Sequence, residues 1–132
     1  MSGRQLGDTF SQESCKAVTI QYTSAVVTQA WFIAQFPCRL VAINGRPRVA
    51  GNDVSAVNFT FFKTKSGVAD AKGVSMSGSS YDLKGTADAN QTVALVGDAS
   101  LRTFVAGDAL SVVLTGTPTL AVGEVTCIFD PV

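Results

Sequence analysis

The sequence contains no histidine. This absence excludes Ser-His and Cys-His nucleophilic pairs and every histidine-based metal site. The ten acidic residues fall mostly in segments whose composition predicts turns, where solvated carboxylates are the usual case. We therefore expect no catalytic residues, no metal site and no cofactor, in a protein that is not an enzyme.

Charge is also scarce in this chain. Charged residues make up 15% of the 132 residues, against about 25% in an ordinary soluble domain. Lys plus Arg and Asp plus Glu count ten each, so there is no net charge to attract nucleic acid or an anionic membrane. Because near-neutral surfaces tend to associate, the composition favours protein partners.

Only three cysteines are present, Cys15, Cys38 and Cys127, and their spacing matches no zinc motif. Three cysteines cannot all pair within one chain, so we expect reduced and mostly buried thiols. The polar N-terminus has no secretory pattern, and no apolar run approaches the length that spans a bilayer. These features predict a soluble protein made in the cytosol.

The chain is predicted to divide into an arm and one folded domain. Residues 1–14 offer only Leu6 and Phe10 for burial, so we expect a flexible N-terminal arm there and a β-domain over residues 15–132. From residue 16 onward, apolar residues alternate with polar ones. That alternation is the period of a half-buried strand.

The predicted strands are short and are separated by Gly, Pro, Asn and Asp residues. They lie around Val18, Ile20 and Tyr22, and over residues 30–36, 38–43, 56–65, 74–76, 81–83, 91–96, 109–115 and 122–129. The third is predicted to end at a turn at Asn44-Gly45. No segment shows a capped helical period, so the pattern predicts an all-β fold, an antiparallel β-sandwich or barrel.

One turn signal stands directly before a regular strand. Gly107 supplies the backbone freedom that a tight turn needs, and Asp108 can bond its own local backbone. Leu110, Val112 and Leu114 then project to one face of the strand. We interpret these residues as architectural.

Two features are candidate contact sites. Arg46 and Arg48 flank Pro47 and form a tight basic pair, either in a solvated loop or in contact with a carboxylate or backbone of a partner. Phe62 is the one aromatic on the more polar face of its strand. It is either covered by a loop or placed at a subunit interface, where aromatic residues are enriched.

Three stretches carry a resemblance to a known family, namely RPRVAGNDVSAVNFTFFKTKSG, SSYDLKGTADANQTVALV and FVAGDALSVVLTGTPTLAVGEVTC. They resemble small head-associated structural proteins of tailed bacteriophages, and together they cover most of residues 46–127. The resemblance implies a jelly-roll-like decoration, or cement, protein that sits on the outer capsid surface and clamps neighbouring capsomers.

From this resemblance we expect a non-enzymatic structural protein of the virion, assembled in the host cytoplasm, whose partner is the major capsid protein. A homo-oligomer is expected, a dimer in preference to a trimer. The candidate capsid-binding residues are Arg4, Leu6, Phe10, Arg46 and Arg48, and Phe62 is the candidate at the subunit interface.

The alternative is a fibre-tip or receptor-binding head domain that recognises a host surface or a glycan. Such a site would need exposed aromatic residues with polar neighbours in loops. Tyr81 is the obvious candidate for that role.

Overall fold

The structure is a computed structural model and describes residues 16–132. Within that range, ten strands and two short 3₁₀ helices form. The strands are β1 (Lys16–Tyr22), β2 (Gln29–Ile33), β3 (Cys38–Val49), β4 (Asn58–Thr64), β5 (Val74–Ser75), β6 (Tyr81–Asp82), β7 (Gln91–Thr92), β8 (Thr103–Phe104), β9 (Ala109–Thr115) and β10 (Val122–Pro131). The 3₁₀ helices are Asp70–Lys72 and Ala99–Arg102. The arm that we expect over residues 1–14, with Arg4, Leu6 and Phe10, lies outside the described residues.

The strands form two antiparallel sheets that pack as a sandwich. Sheet one has the order β1-β10-β3-β7, with β8 also paired to β3, and sheet two has the order β2-β9-β4-β5, with β6 also paired to β4. The chain crosses from one sheet to the other after β1, β2, β3, β6, β8 and β9, and β1 pairs with β10 while β2 pairs with β9. This wrapping is jelly-roll-like, and it confirms the predicted all-β sandwich.

The core lies between the inner faces of the two sheets. Alternate residues of β4 and β10 are buried, as the period of two along a strand requires. Phe59 and Phe61 from sheet two meet Phe129 and Leu40 from sheet one in one continuous apolar cluster. Cys38 and Cys127 are buried in the same layer, and Cys15 lies outside the described residues.

The predicted turn at Asn44-Gly45 is wrong. β3 runs straight through these residues to Val49, and Gly45 pairs with Val125 on one side and with Gln91 on the other. A Cβ at residue 45 would collide with the ring of Tyr81. The glycine therefore serves close packing of an aromatic ring against the sheet and not a change of chain direction.

Pro47 also lies within β3, where a loop was expected. Its carbonyl accepts a hydrogen bond from the Asp88 nitrogen at 2.7 Å. In an antiparallel strand, the carbonyl of a residue and its N–H position point to the same side. For Pro47 this is the side on which β7 lies, and β7 pairs only with Asn44 and Gly45. The proline consequently removes no ladder hydrogen bond.

Other strand limits differ from the predictions because tertiary contacts compete with the local pattern. β2 ends at Ile33, since the Ala34 nitrogen and carbonyl bond to Asp108 and Gly107 instead of continuing the ladder. The strand predicted over residues 91–96 is reduced to β7 and one isolated bridge at Leu95. β8 and the two 3₁₀ helices were not predicted.

Candidate functional site

The outer face of sheet one carries a row of short polar side chains in register across four strands. Thr92 of β7 lies opposite Asn44 of β3, Asn44 lies opposite Thr126 of β10, and Thr126 lies opposite Thr19 of β1. The Thr92 hydroxyl donates to Asn44 Oδ1 at 3.0 Å, and the two threonine hydroxyls of β1 and β10 are 2.8 Å apart. One bond thus links β7 to β3 and the other links β1 to β10 on this face.

Beside this row lies an open groove of about 280 Å³. Its lining comes from β3, from β10 and from the loop before β7, and it consists of Asn44, Gly45, Arg46, Arg48, Asn90, Glu124 and Thr126. The strands place these side chains because every second residue of β3 and β10 faces outward. The groove therefore has polar and charged walls on a rigid floor.

Arg48 is held by two carboxylates. Its Nε and Nη2 donate to the two oxygens of Glu124 at 2.6 and 3.2 Å, and its Nη1 lies 3.4 Å from Asp88 Oδ1. The hydrogen bond from Arg48 lowers the pKa of Glu124, and the same bond raises the pKa of Arg48. Since the Arg48 side chain is 48% exposed, this bidentate pair orients the side chains more than it stabilises the fold.

Arg46 is anchored differently. Its Nε donates to Asn90 Oδ1 at 2.7 Å. Among residues 16–132, no hydrogen bond uses either Nη atom of Arg46. One edge of a planar guanidinium is thus fixed by an amide, and within residues 16–132 its two terminal nitrogens have no hydrogen-bond partner. That geometry suits a carboxylate that binds with both oxygens.

One end of the sandwich is apolar. Val49 and Val122 are register partners at the ends of β3 and β10, and the exposed Leu120 lies in the loop just before β10. Leu120 has a φ of 64°, a left-handed conformation that is rare for a bulky residue. The Asn52 nitrogen bonds the Thr119 carbonyl at 3.2 Å, which brings the loop that carries the exposed Val54 to the same end.

The structure brings together two of the residues that the sequence singled out. Arg46 and Arg48 lie on strand β3 and not in a loop, and both reach the groove. Phe62 lies elsewhere, half buried on the outer face of sheet two, in register with Ser75 and Ser111. The structure thus separates the candidate interface residue from the arginines.

Phe62 lies on the same face of sheet two as a small group of hydrogen-bonded polar side chains, Thr64, Ser111 and Asp70. The Ser111 hydroxyl lies 2.8 Å from that of Thr64 and donates to Asp70 at 2.6 Å, which fastens the segment after β4 to this face. The half burial of Phe62 is compatible with coverage by a loop and with a place at a subunit interface.

Sequence reasoning missed the residues that line the groove beside the two arginines. Glu124 and Thr126 occupy alternating polar positions in the last predicted strand, so the period of two already marked them as outward-facing. Asn90 had no such signal, because only the fold places it beside Arg46.

Tyr81 does not have the role that the receptor-binding alternative needs. Its side chain is fully buried, and its hydroxyl lies 2.7 Å from that of Tyr22. Burial raises the pKa of both phenols. Tyr81 therefore belongs to the core and cannot stack on a sugar.

Within residues 16–132, no group of three or more His, Cys, Asp or Glu side chains is placed to hold a metal ion. No helix in that range is both long enough and apolar enough to span a membrane.

Comparisons with known proteins add no assignment. No protein-family model, no curated protein and no solved structure matches the chain.

Proposed function

We propose that the chain is a non-enzymatic structural protein that binds the major capsid protein on the outer surface of a tailed-phage head and stabilises that head. The choice of partner comes from the resemblance of three stretches to head-associated phage proteins. In the fold these stretches extend from the second half of β3 through most of β10. They include Arg46 and most of the groove lining.

The observation that carries the proposal is the anchored guanidinium of Arg46. Its terminal nitrogens have no hydrogen-bond partner among the described residues, although the charge of Arg46 helps to lower the pKa of the neighbouring Glu124, and β3 is a central strand, paired on both sides. A protein that clamps a capsid needs contact groups that do not move when they bind, because ordering a side chain on binding weakens affinity. A capsid carboxylate that pairs with Arg46 would meet a group that is already oriented.

Apolar contacts would add affinity to this polar one. Val54 is 97% exposed and Leu120 is 57% exposed at the apolar end of the sandwich. Exposed apolar groups gathered at one end are typical of protein-binding surfaces. The low charge of the chain fits the same role.

The groove also gives the receptor-binding alternative one supporting observation, since its amide and guanidinium groups could bond sugar hydroxyls. However, its lining includes no aromatic residue from the described part of the chain, and Tyr81 is buried. We therefore rank the capsid-binding function first.

The test is co-sedimentation of the purified protein with undecorated tailed-phage heads. We expect Arg46→Ala to weaken head binding at least about tenfold, which corresponds to about 1.4 kcal/mol. Arg46→Lys keeps the charge but loses the planar fork, so its binding should be intermediate. Lys72→Ala, on the exposed segment outside sheet two, is the matched control and should bind like the unaltered protein.

Two results would count against the proposal. If the unaltered protein does not sediment with heads, the capsid is not its partner. If Arg46→Ala and Lys72→Ala bind heads equally well, the groove is not the contact surface. Binding of a soluble glycan that is lost in Arg46→Ala would favour the receptor-binding alternative.

A further inference from the structure

β1 forms an edge of sheet one. It pairs with β10 on one side, and no other strand of the described chain pairs with it. The pairing is continuous from Lys16 to Tyr22 without a register shift. Natural proteins protect such edges with charged residues, prolines or bulges. In β1 the one charged residue is Lys16, at the first position, and the six residues that follow it, AVTIQY, contain no charge, proline or bulge.

The edge is also incompletely covered on its core side. Val18 and Ile20 point toward the core but are only half buried, and no strand of the described residues lies beyond them. β2 is an edge strand of sheet two and is joined to β1 by residues 23–28. Ile33 in β2 and Val27 before it are both more than half exposed. This side of the sandwich therefore offers unpaired backbone and apolar side chains together.

We propose that β1 pairs antiparallel with β1 of a second copy of this chain, around a two-fold axis that passes beside Thr19. Sheet one of each copy would then join into one continuous sheet across the dimer. This inference goes beyond head binding and does not depend on it. It places the dimer contact on β1 and not at Phe62.

The self-pairing follows from the sequence of the strand. With the axis at Thr19, all seven residues of β1 find a partner, and a shift of the axis by one residue loses two of those pairs. Thr19 then pairs with Thr19 of the second copy, and Val18 pairs with Ile20 of that copy. Paired residues share a face, so the apolar pair points to the core and covers the half-buried edge.

The polar row on the outer face supports the same register. Thr92, Asn44, Thr126 and Thr19 already lie in one line across the four strands. The two-fold axis continues that line through Thr19 into the same four residues of the second copy. Cross-strand threonine pairs are favourable in antiparallel sheets.

The test measures self-association without phage heads. Light scattering after size exclusion should give twice the chain mass of 13.7 kDa for the unaltered protein. Thr19→Lys places two ammonium groups directly opposite each other across the axis, where cross-strand Cβ atoms are about 5 Å apart. We expect the dimer dissociation constant to rise at least about tenfold in this variant.

Thr126→Lys is the matched control. It removes the same hydrogen bond between Thr19 and Thr126 and adds the same charge on the same face, one strand further from the axis. Its two copies would lie three strand spacings apart, about 14 Å, beyond the Debye length of about 8 Å at physiological salt. This variant should dimerise like the unaltered protein.

A charge swap makes the test decisive. Thr19→Glu alone should also be monomeric, but mixing it with Thr19→Lys should restore a heterodimer, because opposite charges then face each other. A monomeric or trimeric unaltered protein, equal dimerisation of Thr19→Lys and Thr126→Lys, or no heterodimer on mixing would each overturn the inference. None of these results bears on head binding, which is measured separately.

Discussion

At the scale of single residues, two tyrosines and two glycines are packed as a unit inside the sandwich. The Tyr81 ring lies against Gly45 in β3, and a Cβ at Gly123 in β10 would lie 2.5 Å from the Tyr22 hydroxyl. The two phenol oxygens are 2.7 Å apart, so one buried hydroxyl donates a hydrogen bond to the other. Glycine within a strand is unfavourable by itself, and here it admits a ring that fills the core.

This pair predicts an unusual alkaline titration. Burial raises the pKa of Tyr22 and Tyr81 above the ordinary value of 10.0. Their contribution to stability should therefore be complete below about pH 10 and should be lost as the pH rises further, because only the unfolded chain ionises readily there. The chain has two tyrosines, so absorbance at 295 nm reports this pair alone.

We expect no phenolate signal near pH 10 while the protein stays folded, and a signal that appears together with unfolding at higher pH. The control is the same titration in concentrated denaturant, which should show the ordinary value. Half-ionisation near pH 10 with an unchanged circular dichroism spectrum would contradict the buried pair.

At the scale of elements, the turn between β8 and β9 also holds the end of β2, which is the neighbour of β9 in sheet two. Gly107 has a φ of 95°, the left-handed conformation that favours glycine, and the Asp108 nitrogen bonds the Val105 carbonyl at 3.0 Å. The carboxylate of Asp108 also accepts the Val105 nitrogen at 3.0 Å. Ala34 after β2 bonds the same turn through both its nitrogen and its carbonyl, so one turn fixes the end of β2 and the start of β9.

Removal of that carboxylate should destabilise the fold. Asp108 is 4% exposed, and Asp108→Ala leaves the Val105 nitrogen without its partner, so we expect a loss of about 1–3 kcal/mol in the free energy of unfolding. Lys65→Ala removes the other partner of Asp108, but the Lys65 side chain is 70% exposed and should cost under about 1 kcal/mol. Urea unfolding monitored by tryptophan fluorescence measures both. Equal losses in the two variants would show that the ion pair, and not the turn bond, stabilises the strand start.

At the scale of the whole molecule, the surface is divided among distinct kinds of contact. Sheet one has a polar outer face with the groove, one end of the sandwich is apolar, and β1 is a sheet edge with no second partner strand among residues 16–132. These surfaces do not overlap in the residues that carry them. A dimer formed through β1 would therefore leave both Arg46 grooves open to a capsid.

Deletion of residues 1–14 tests the arm that the sequence predicts. Arg4, Leu6 and Phe10 are its candidate anchors. At roughly 25 cal/mol per Å², burial of the two apolar side chains on a capsid subunit would contribute a few kcal/mol to the binding free energy. The entropy lost when the arm becomes ordered would offset part of this gain. We expect thermal unfolding to change little and head binding to weaken at least about tenfold, and a dimer with two arms would amplify the loss. If the shortened chain binds heads normally, the groove and the apolar end carry the contact.

The sequence alone specified the class of the fold and its most regular strands. β9 has the predicted limits, and β4 lies within the predicted strand, because alternation with a period of two is a local property that each strand displays by itself. The turn at Gly107 and Asp108 was also predictable, since backbone freedom and a carboxylate that bonds its own turn both act within four residues. The absence of histidine excluded whole classes of site without any structure.

Tertiary structure decided what depends on residues far apart in the chain. Asn44-Gly45 carries a turn signal, yet it stays extended because β7 and β10 pair on either side and the Tyr81 ring packs on the glycine. Arg46 and Arg48 look like two solvated cations until the fold brings Asn90 and Glu124 beside them, 44 and 76 residues away. β1 is likewise a sheet edge because, among residues 16–132, it pairs with β10 alone, and its own sequence does not show this. Local patterns report which face of a strand is apolar, but the neighbours of a strand are set by how the whole chain buries its core.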